Sequence, residues 1–420
     1  MLDVDLIIKN PENIKKALIK RECKVDLNKL ILLYENKKKL SKNLVDLNTE
    51  KNIISDKIKD IKTTSSIDSS LLKTSNEISD KIKDIKDKIL EISTIITKIL
   101  EIIPNIPDDD VPTNDNQVVN IVGHKPQFND NKFLDHMNIA KLHNLIDYER
   151  GVKISGNGHW IYKNKGAIIE WALINYFIQT HINNNYEFIL PPHMLLNKCG
   201  YIAGQFPKFM DETFQIQSNQ NKKFLIPTSE TILASMHENE IFKEYELPKK
   251  YFTYTPCYRK EIGSYRTSER GMIRGHQFNK VETFQITKPE ESKDALDELI
   301  NISEEIVKDL GLHYRISKMS AKNCSFAMAK TYDIEVWIPS INNYKEVSSC
   351  SNAKDYQARR GNIKFKGNKK NEYVHTLNAS SLATSRIFPA ILETYQQSDG
   401  SILIPQKLKK FLNFDKITKN

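Results

Sequence analysis

Two short stretches carry residues whose types and spacing could handle a phosphorylated ligand. They are Tyr258-Arg-Lys-Glu261 and Arg274-Gly-His-Gln-Phe-Asn-Lys-Val-Glu282, separated by the polar segment IGSYRTSERGMI. Both alternate in character, so they read as antiparallel strands joined by a long loop. On the second strand Phe278, Lys280 and Glu282 share a face, and Phe278 to Glu282 spans about 13 Å at strand rise. A flat aromatic at one end and a carboxylate at the other would suit an adenine and an ammonium. On the first, Arg259 and Glu261 share a face, which sets a guanidinium for a phosphate beside an acceptor for a base amine. Taken alone, such residues are more often surface ion pairs.

These strands need a scaffold, and 420 residues suffice for two or three domains with a sizeable core. With 39% hydrophobic and 27% charged residues the chain falls in the globular range, which excludes wholly disordered or collagen-like classes. No run approaches the roughly 18 apolar residues of a membrane-spanning helix, and the start lacks the order of a secretory signal. A cytoplasmic protein without a membrane partner is expected. The five cysteines, Cys23, Cys199, Cys257, Cys324 and Cys350, form no Cys-x-x-Cys pair, and the ten histidines form no H-E-x-x-H. Neither a disulfide framework nor a structural zinc is expected. Cys257 and Cys350 read as inert buried thiols, and His276 as a hydrogen-bonded structural residue; no general base is assigned. Net charge is +9, but residues 1–110 hold 21 basic and 20 acidic side chains, so most of the excess lies beyond them. That balance permits a polyanionic partner without demanding one.

Near the N-terminus, Asn10-Pro11-Glu12 should start a short helix over residues 14–21. Leu40, Leu44, Leu47, Ile54, Ile58 and Ile61 then fall on a heptad frame. Leu71, Ile78, Ile82, Ile85, Ile89, Ile92, Ile96, Ile99 and Ile103 continue one for more than four heptads, with Ser75 the polar member. The turn-rich link over residues 62–70 is too short to return along such a helix, so the two must pair antiparallel. Such a hairpin should project and touch something; a dimerisation coiled coil is the competing reading, and Lys37, Lys38, Lys39 and Lys42 would suit phosphate. The proline-punctuated, acidic stretch after Ile103 breaks the helix. Boundaries follow at 1–103 for a helical domain, 104–119 for a linker and 120–420 for a second domain. In the latter, helices over 166–182 and up to Gly311 mix with a strand at Tyr332-Asp-Ile-Glu-Val-Trp-Ile338, without regular βαβ alternation. An α+β fold with an antiparallel sheet is expected. No Walker loop or G-x-G-x-x-G is present, so a nucleotide would be held by arginines and sheet residues.

Along nearly its whole length the chain resembles bacterial-type seryl-tRNA synthetases of class II. The ordered set carries the resemblance: a hairpin arm, Pro191-Pro192 as motif 1, Gly204-Gln-Phe-Pro-Lys-Phe209, Ile226-Pro-Thr-Ser-Glu230, and motif 2 from Tyr258 to Glu282. Next come Glu346-Val-Ser-Ser-Cys-Ser-Asn352 with Gln357-Ala-Arg-Arg360, and motif 3 at Asn378-Ala-Ser-Ser-Leu-Ala-Thr-Ser-Arg386. Ala379, Ser381 and Ser385 stand where that motif usually has glycines, and Tyr265-Arg-Thr-Ser-Glu-Arg270 where a Gly-Arg-Asp is usual.

The resemblance implies a class II catalytic domain behind an all-α antiparallel coiled-coil hairpin, and an ATP-dependent ligase that makes seryl-adenylate and transfers serine to tRNA(Ser), also to tRNA(Sec) where present. It implies Arg259 and Arg386 as catalytic groups. ATP would be bound by Arg259, Lys260, Glu261, Arg274, Phe278, Glu346, Val347, Ser348, Ser349 and Arg386. Serine would be bound by Thr228, Ser229, Glu230, Arg259, Glu282, Asn378 and Ser380, and Mg2+ with ATP by Glu346 and Ser349. It further implies a homodimer whose arm meets the long variable arm of the tRNA, with no DNA partner. The alternative is a synthetase-like protein that binds tRNA or a partner without efficient aminoacylation.

Overall fold

The computed structural model describes residues 1–62, 69–128, 133–217, 221–262 and 271–418. The centre of the arm's turn, the loop segment at 265–270 and the side chain of Ile61 lie outside the described residues. The chain divides into two compact units, Leu2–Pro104 and Asn105–Asn420.

In the first unit two short helices, Val4–Lys9 and Pro11–Lys20, precede two long ones, α1 (Leu27–Lys62) and α2 (Ser69–Glu101). Asp3 caps the first by accepting from the Asp5 N–H, and Pro11 occupies the first turn of the second. Ile54, Ile78 and Ile82 are buried together against Leu44, Leu47 and Ile58, all on the expected heptad frames. Val45 and Leu90, off those frames, are exposed. The buried stripe is narrow, so the length of the arm adds little core for each residue ordered.

The second unit is built on an eight-stranded sheet of β1 (Gln117–Val122), β2 (Glu187–Ile189), β3 (Lys249–Tyr258), β4 (Gln277–Thr287), β5 (Tyr314–Lys318), β6 (Lys330–Ile338), β7 (Asn343–Lys354) and β8 (His375–Ala383). The spatial order is β1-β5-β6-β7-β8-β4-β3-β2, antiparallel except for the β2–β3 pair. Helices that pack on it include α3 (Asn164–Asn183), α4 (Ser292–Asp309) and α5 (Thr384–Thr394). Gly311, at φ +65, takes the left-handed position just beyond α4. Phe252, Val281, Cys350, Leu377 and Ala379 belong to the core that the helices cover, whereas Phe284, Ile286, Ile363 and Val374 form a smaller one.

The stretch read as a linker is not a free tether. Asn105 is buried and donates from Nδ2 to the carbonyls of Ala327 and Ala353, Val111 packs with Ala321 and Cys324, and β1 begins at Gln117. Prolines stop the helix there, and the backbone finds other partners: the Asn105 N–H donates to the Phe326 carbonyl and the Asp108 N–H to the Ala329 carbonyl.

One buried acid ties three elements together. Glu170 of α3 accepts from Asn279 Nδ2 of β4 (2.8 Å) and from Thr384 Oγ1 of α5 (2.5 Å). Burial pushes its carboxyl up to about 7. The unfolded chain ionises this group near 4.5, so stability from the protonated form is full below that pH and is lost as pH rises through 7. The loss amounts to about 3 kcal/mol. Glu170→Gln should therefore melt at a temperature that gains on wild type as the pH is raised from 5 to 8. A constant difference across that range would reject the buried-acid account.

Candidate active site

Strands β4, β7 and β8 share a cavity of about 400 Å³, closed on one side by the turn at Gly204. Gly204 has φ +78, and a Cβ there would come within 2.7 Å of the Ala327 side chain, so the wall permits no larger residue. Glu282 is fully buried behind the lining residues Thr228, Asn378 and Ser380, and accepts from Asn378 Nδ2 at 2.9 Å and from the hydroxyls of Thr228 and Ser380 at 3.5 Å each. Lys280 Nζ forms an ion pair with the same carboxylate. Above it Glu230 accepts from Gln357 Nε2 (2.7 Å), whose own oxygen accepts from Thr376 Oγ1. Burial, then the charge of Glu282, pushes the Glu230 carboxyl up to about 7. Asn378 Oδ1 is buried without a hydrogen-bond partner among the described residues. A small zwitterion with a hydroxyl would meet acceptors for its ammonium and both a donor and an acceptor for its side chain.

A smaller cavity continues from this one, with Arg259, Arg274, Phe278, Val347, Ser385 and Arg386 on its walls. Arg259 Nε donates to the Pro227 carbonyl at 3.0 Å, and its guanidinium carbon lies 5.2 Å from the Phe278 ring centre. Arg274 Nε is 3.4 Å from Glu261, and Arg386 donates to the Glu346 carbonyl at 2.7 Å. Three guanidinium groups around one aromatic ring can hold a triphosphate whose base stacks on that ring.

The first motif strand is shorter than its alternation predicts. β3 ends at Tyr258, and β4 starts at Gln277, not Arg274. Glu261 sits at φ +49, so it shares a cavity with Arg259 through a backbone reversal and not through a common strand face. The reversal is pinned: the Arg259 N–H donates to the His276 carbonyl, Lys260 N–H donates to Glu212, and His276 Nδ1 lies 2.9 Å from the Arg259 carbonyl.

Glu346 and Ser349, three residues apart, would face opposite sides of a regular strand. In β7 Glu335 pairs with Glu346 and Ile334 with Ser348, so Val347 is an extra residue, and the bulge returns both side chains to the cavity. Asp333, opposite Ser349, lines the same wall, and burial followed by the nearby Glu346 raises its carboxyl well above the usual range.

The sites implied for Ser229, Lys260 and Ser348 differ in placement. Ser229 Oγ is buried 2.6 Å from Thr255 Oγ1, Ser348 Oγ faces Cys350, and neither these nor the Lys260 side chain lines the two cavities; Glu282 does not line them either, but it reaches the first through its bonds to Thr228, Asn378 and Ser380. Ala379 and Ser381 belong to the helix-covered side, Ser381 lying 3.5 Å from Ser303, so their Cβ atoms do not narrow the cleft. Ser385 does line it. Burial raises the thiols of Cys257 and Cys350, the latter to about 12, which keeps both protonated. Lys280, Asp333 and Gln357 were given no role by sequence reasoning. Alternation along β4 sets Lys280 on the face of Phe278 and Glu282, but nothing local marks Lys280 or Asp333 as buried.

Comparison with known proteins gives the family. Residues 1–107 match the family described as seryl-tRNA synthetase N-terminal domain, and residues 212–395 match the tRNA synthetase class II core domain (G, H, P, S and T). The chain is 55% identical to serine--tRNA ligase 2 of Clostridium acetobutylicum over 99% of its length and all of that protein. It is 42% identical to serine--tRNA ligase of Petrotoga mobilis over 98% of this chain and 99% of that one. Among solved structures, seryl-tRNA synthetase from Pyrococcus horikoshii complexed with ATP superposes with a TM-score of 0.92 at 30% identity, covering all of both chains. With family matches to both parts of the chain, full-length relatives and a shared fold, the chain belongs to the seryl-tRNA synthetase family of class II aminoacyl-tRNA synthetases.

Proposed function

We propose that the two joined cavities align serine and ATP for seryl-adenylate formation, and that the adenylate then acylates the 3' end of tRNA(Ser). The chain is an ATP-dependent serine--tRNA ligase; the residue roles below are the proposal. The observation that carries them is the buried Glu282 ringed by Thr228, Asn378 and Ser380, one cavity away from three arginines. The serine ammonium would lie against Glu282, Glu230 and Thr228, and its hydroxyl against Asn378 and Ser380. Phe278 stacks the adenine, and Glu261 accepts from its amino group. Arg274 and Arg386 hold the outer phosphates. A serine carboxylate oxygen attacks the α-phosphorus, pyrophosphate leaves in line, and Arg259 stabilises the charge that builds up on the phosphoryl oxygens. A ribose hydroxyl of the tRNA then attacks the seryl carbonyl and AMP departs. Lys260, Ser229 and Ser348 act in this scheme through backbone and packing.

The hard oxygen donors of Glu346 and Ser349, brought to one side by the bulge, fit Mg2+, with Asp333 beside them. When bound with ATP, the ion neutralises phosphate charge. A homodimer through the motif 1 region is part of the reading, supported by the exposed Leu190 next to Pro191-Pro192. The arm would reach the long variable arm of the tRNA by shape and backbone contacts. tRNA(Sec) where present and a cytoplasmic setting are part of the same proposal. The non-catalytic alternative is disfavoured because Arg259, Glu346 and Arg386 are all retained and assembled.

The test is pyrophosphate exchange with serine, alanine, threonine and cysteine. A site built to pair a hydroxyl leaves its polar groups unmet with alanine, so exchange with alanine should fall by at least about 10³-fold relative to serine. Comparable exchange with alanine would remove the hydroxyl pocket from the account.

A further inference from the structure

Lys280 stands out in the assembled site. It is 4% exposed on β4, and every group its ammonium touches is one assigned above to serine. Nζ donates to Thr228 Oγ1 at 2.7 Å and to Ser380 Oγ at 3.5 Å, and pairs with Glu282. An ammonium is thus already seated on the acceptors that a substrate ammonium would use. Two cations cannot share one carboxylate and one hydroxyl lone pair in a buried site without strong repulsion. Serine must therefore displace the lysine, and a buried lysine released from its carboxylate needs another anion. The amino acid brings one, since its own carboxylate enters with its ammonium. Lys280 lines both cavities, so its flexible stem already reaches the junction where that carboxylate must lie to meet the α-phosphate.

We propose that Lys280 holds the place of the substrate ammonium on Glu282 and Thr228, and on serine binding passes to the α-carboxylate. Recognition is then a pairwise exchange of ions. A free amine without the carboxylate would dislodge the lysine and give it nothing in return, so the device selects for the zwitterion. This rests on the assignment of Glu282 to the serine ammonium.

The experiment compares binding of serine and of serinamide, which keeps the ammonium and hydroxyl but lacks the carboxylate, by calorimetry on wild type, Lys280→Met and Glu282→Gln. Lys280→Met should lose on the order of 10- to 100-fold in serine affinity, the worth of a charged hydrogen bond, while binding serinamide as well as wild type or better. Equal loss for both ligands would reduce Lys280 to a structural partner of Glu282 and overturn the inference. If Glu282→Gln binds serine like wild type, the underlying assignment fails instead. Should Lys280→Met not fold, a crystal structure of wild type with serine decides. Nζ is expected within hydrogen-bond reach of the serine carboxylate, and Nζ still on Thr228 would overturn the exchange.

Discussion

Arg259→Ala should lower serine-dependent exchange of pyrophosphate into ATP by about 10³-fold or more, while the purified protein keeps its thermal transition and its association state. The size follows from position. Arg259 is held by its Nε–H to the Pro227 carbonyl, which leaves the outer nitrogens of the fork aimed at the junction of the two cavities. Removing one preorganised donor at developing charge costs about 3–4 kcal/mol in other enzymes, and this group would also supply a full positive charge. The fold should tolerate the change, because residues 259–261 lie beyond the end of β3 and are pinned through backbone bonds to His276 and Glu212. Arg259→Lys keeps the charge but not the planar fork, and should fall between the two. Exchange retained in Arg259→Ala at near wild-type rate would reject the role given to this residue.

The second large effect concerns the arm. Deletion of residues 41–91, with a short glycine turn joining Leu40 to Ile92, should leave serine-dependent pyrophosphate exchange within about twofold of wild type and reduce charging of tRNA(Ser) by at least about 10²-fold. The cut removes the seam around Ile54, Ile78 and Ile82 and spares the buried Leu30, Leu100 and Ile103 at the base. None of the residues lining the two cavities belongs to the first unit. The arm is near neutral in charge, so the lost contacts would be mainly of shape and hydrogen bonding, and raising salt should weaken tRNA binding less steeply than for a basic clamp. Equal loss of exchange and charging would mean that the arm serves folding or assembly rather than tRNA.

Much of this was legible because it depends on local periodicity. The heptad positions of the arm, the helix expected over 166–182 and found at Asn164–Asn183, the end of α4 at Gly311 and the strand at Lys330–Ile338 all follow from which residues can share a face. The ordered motifs then pointed to the family, which full-length relatives bear out. Less legible were features set by register between distant strands. A bulge at Val347 shows only against the partner strand β6, and without it Glu346 and Ser349 would diverge. Glu261 reaches its place through a left-handed residue that alternation cannot foresee.

The sequence by itself determined the heptad frames of the arm and the face that Phe278, Lys280 and Glu282 share on β4, since each rests on a spacing of a few residues. Only the tertiary structure decided which charges meet. Lys280 and Glu282 are a pair, Glu170 binds three elements, and Ser381 turns away from the cleft, because hydrogen bonds and ion pairs form across strands and helices brought together from up to about half the chain away. Burial then sets their protonation, and burial is a property of the assembled fold, not of any segment.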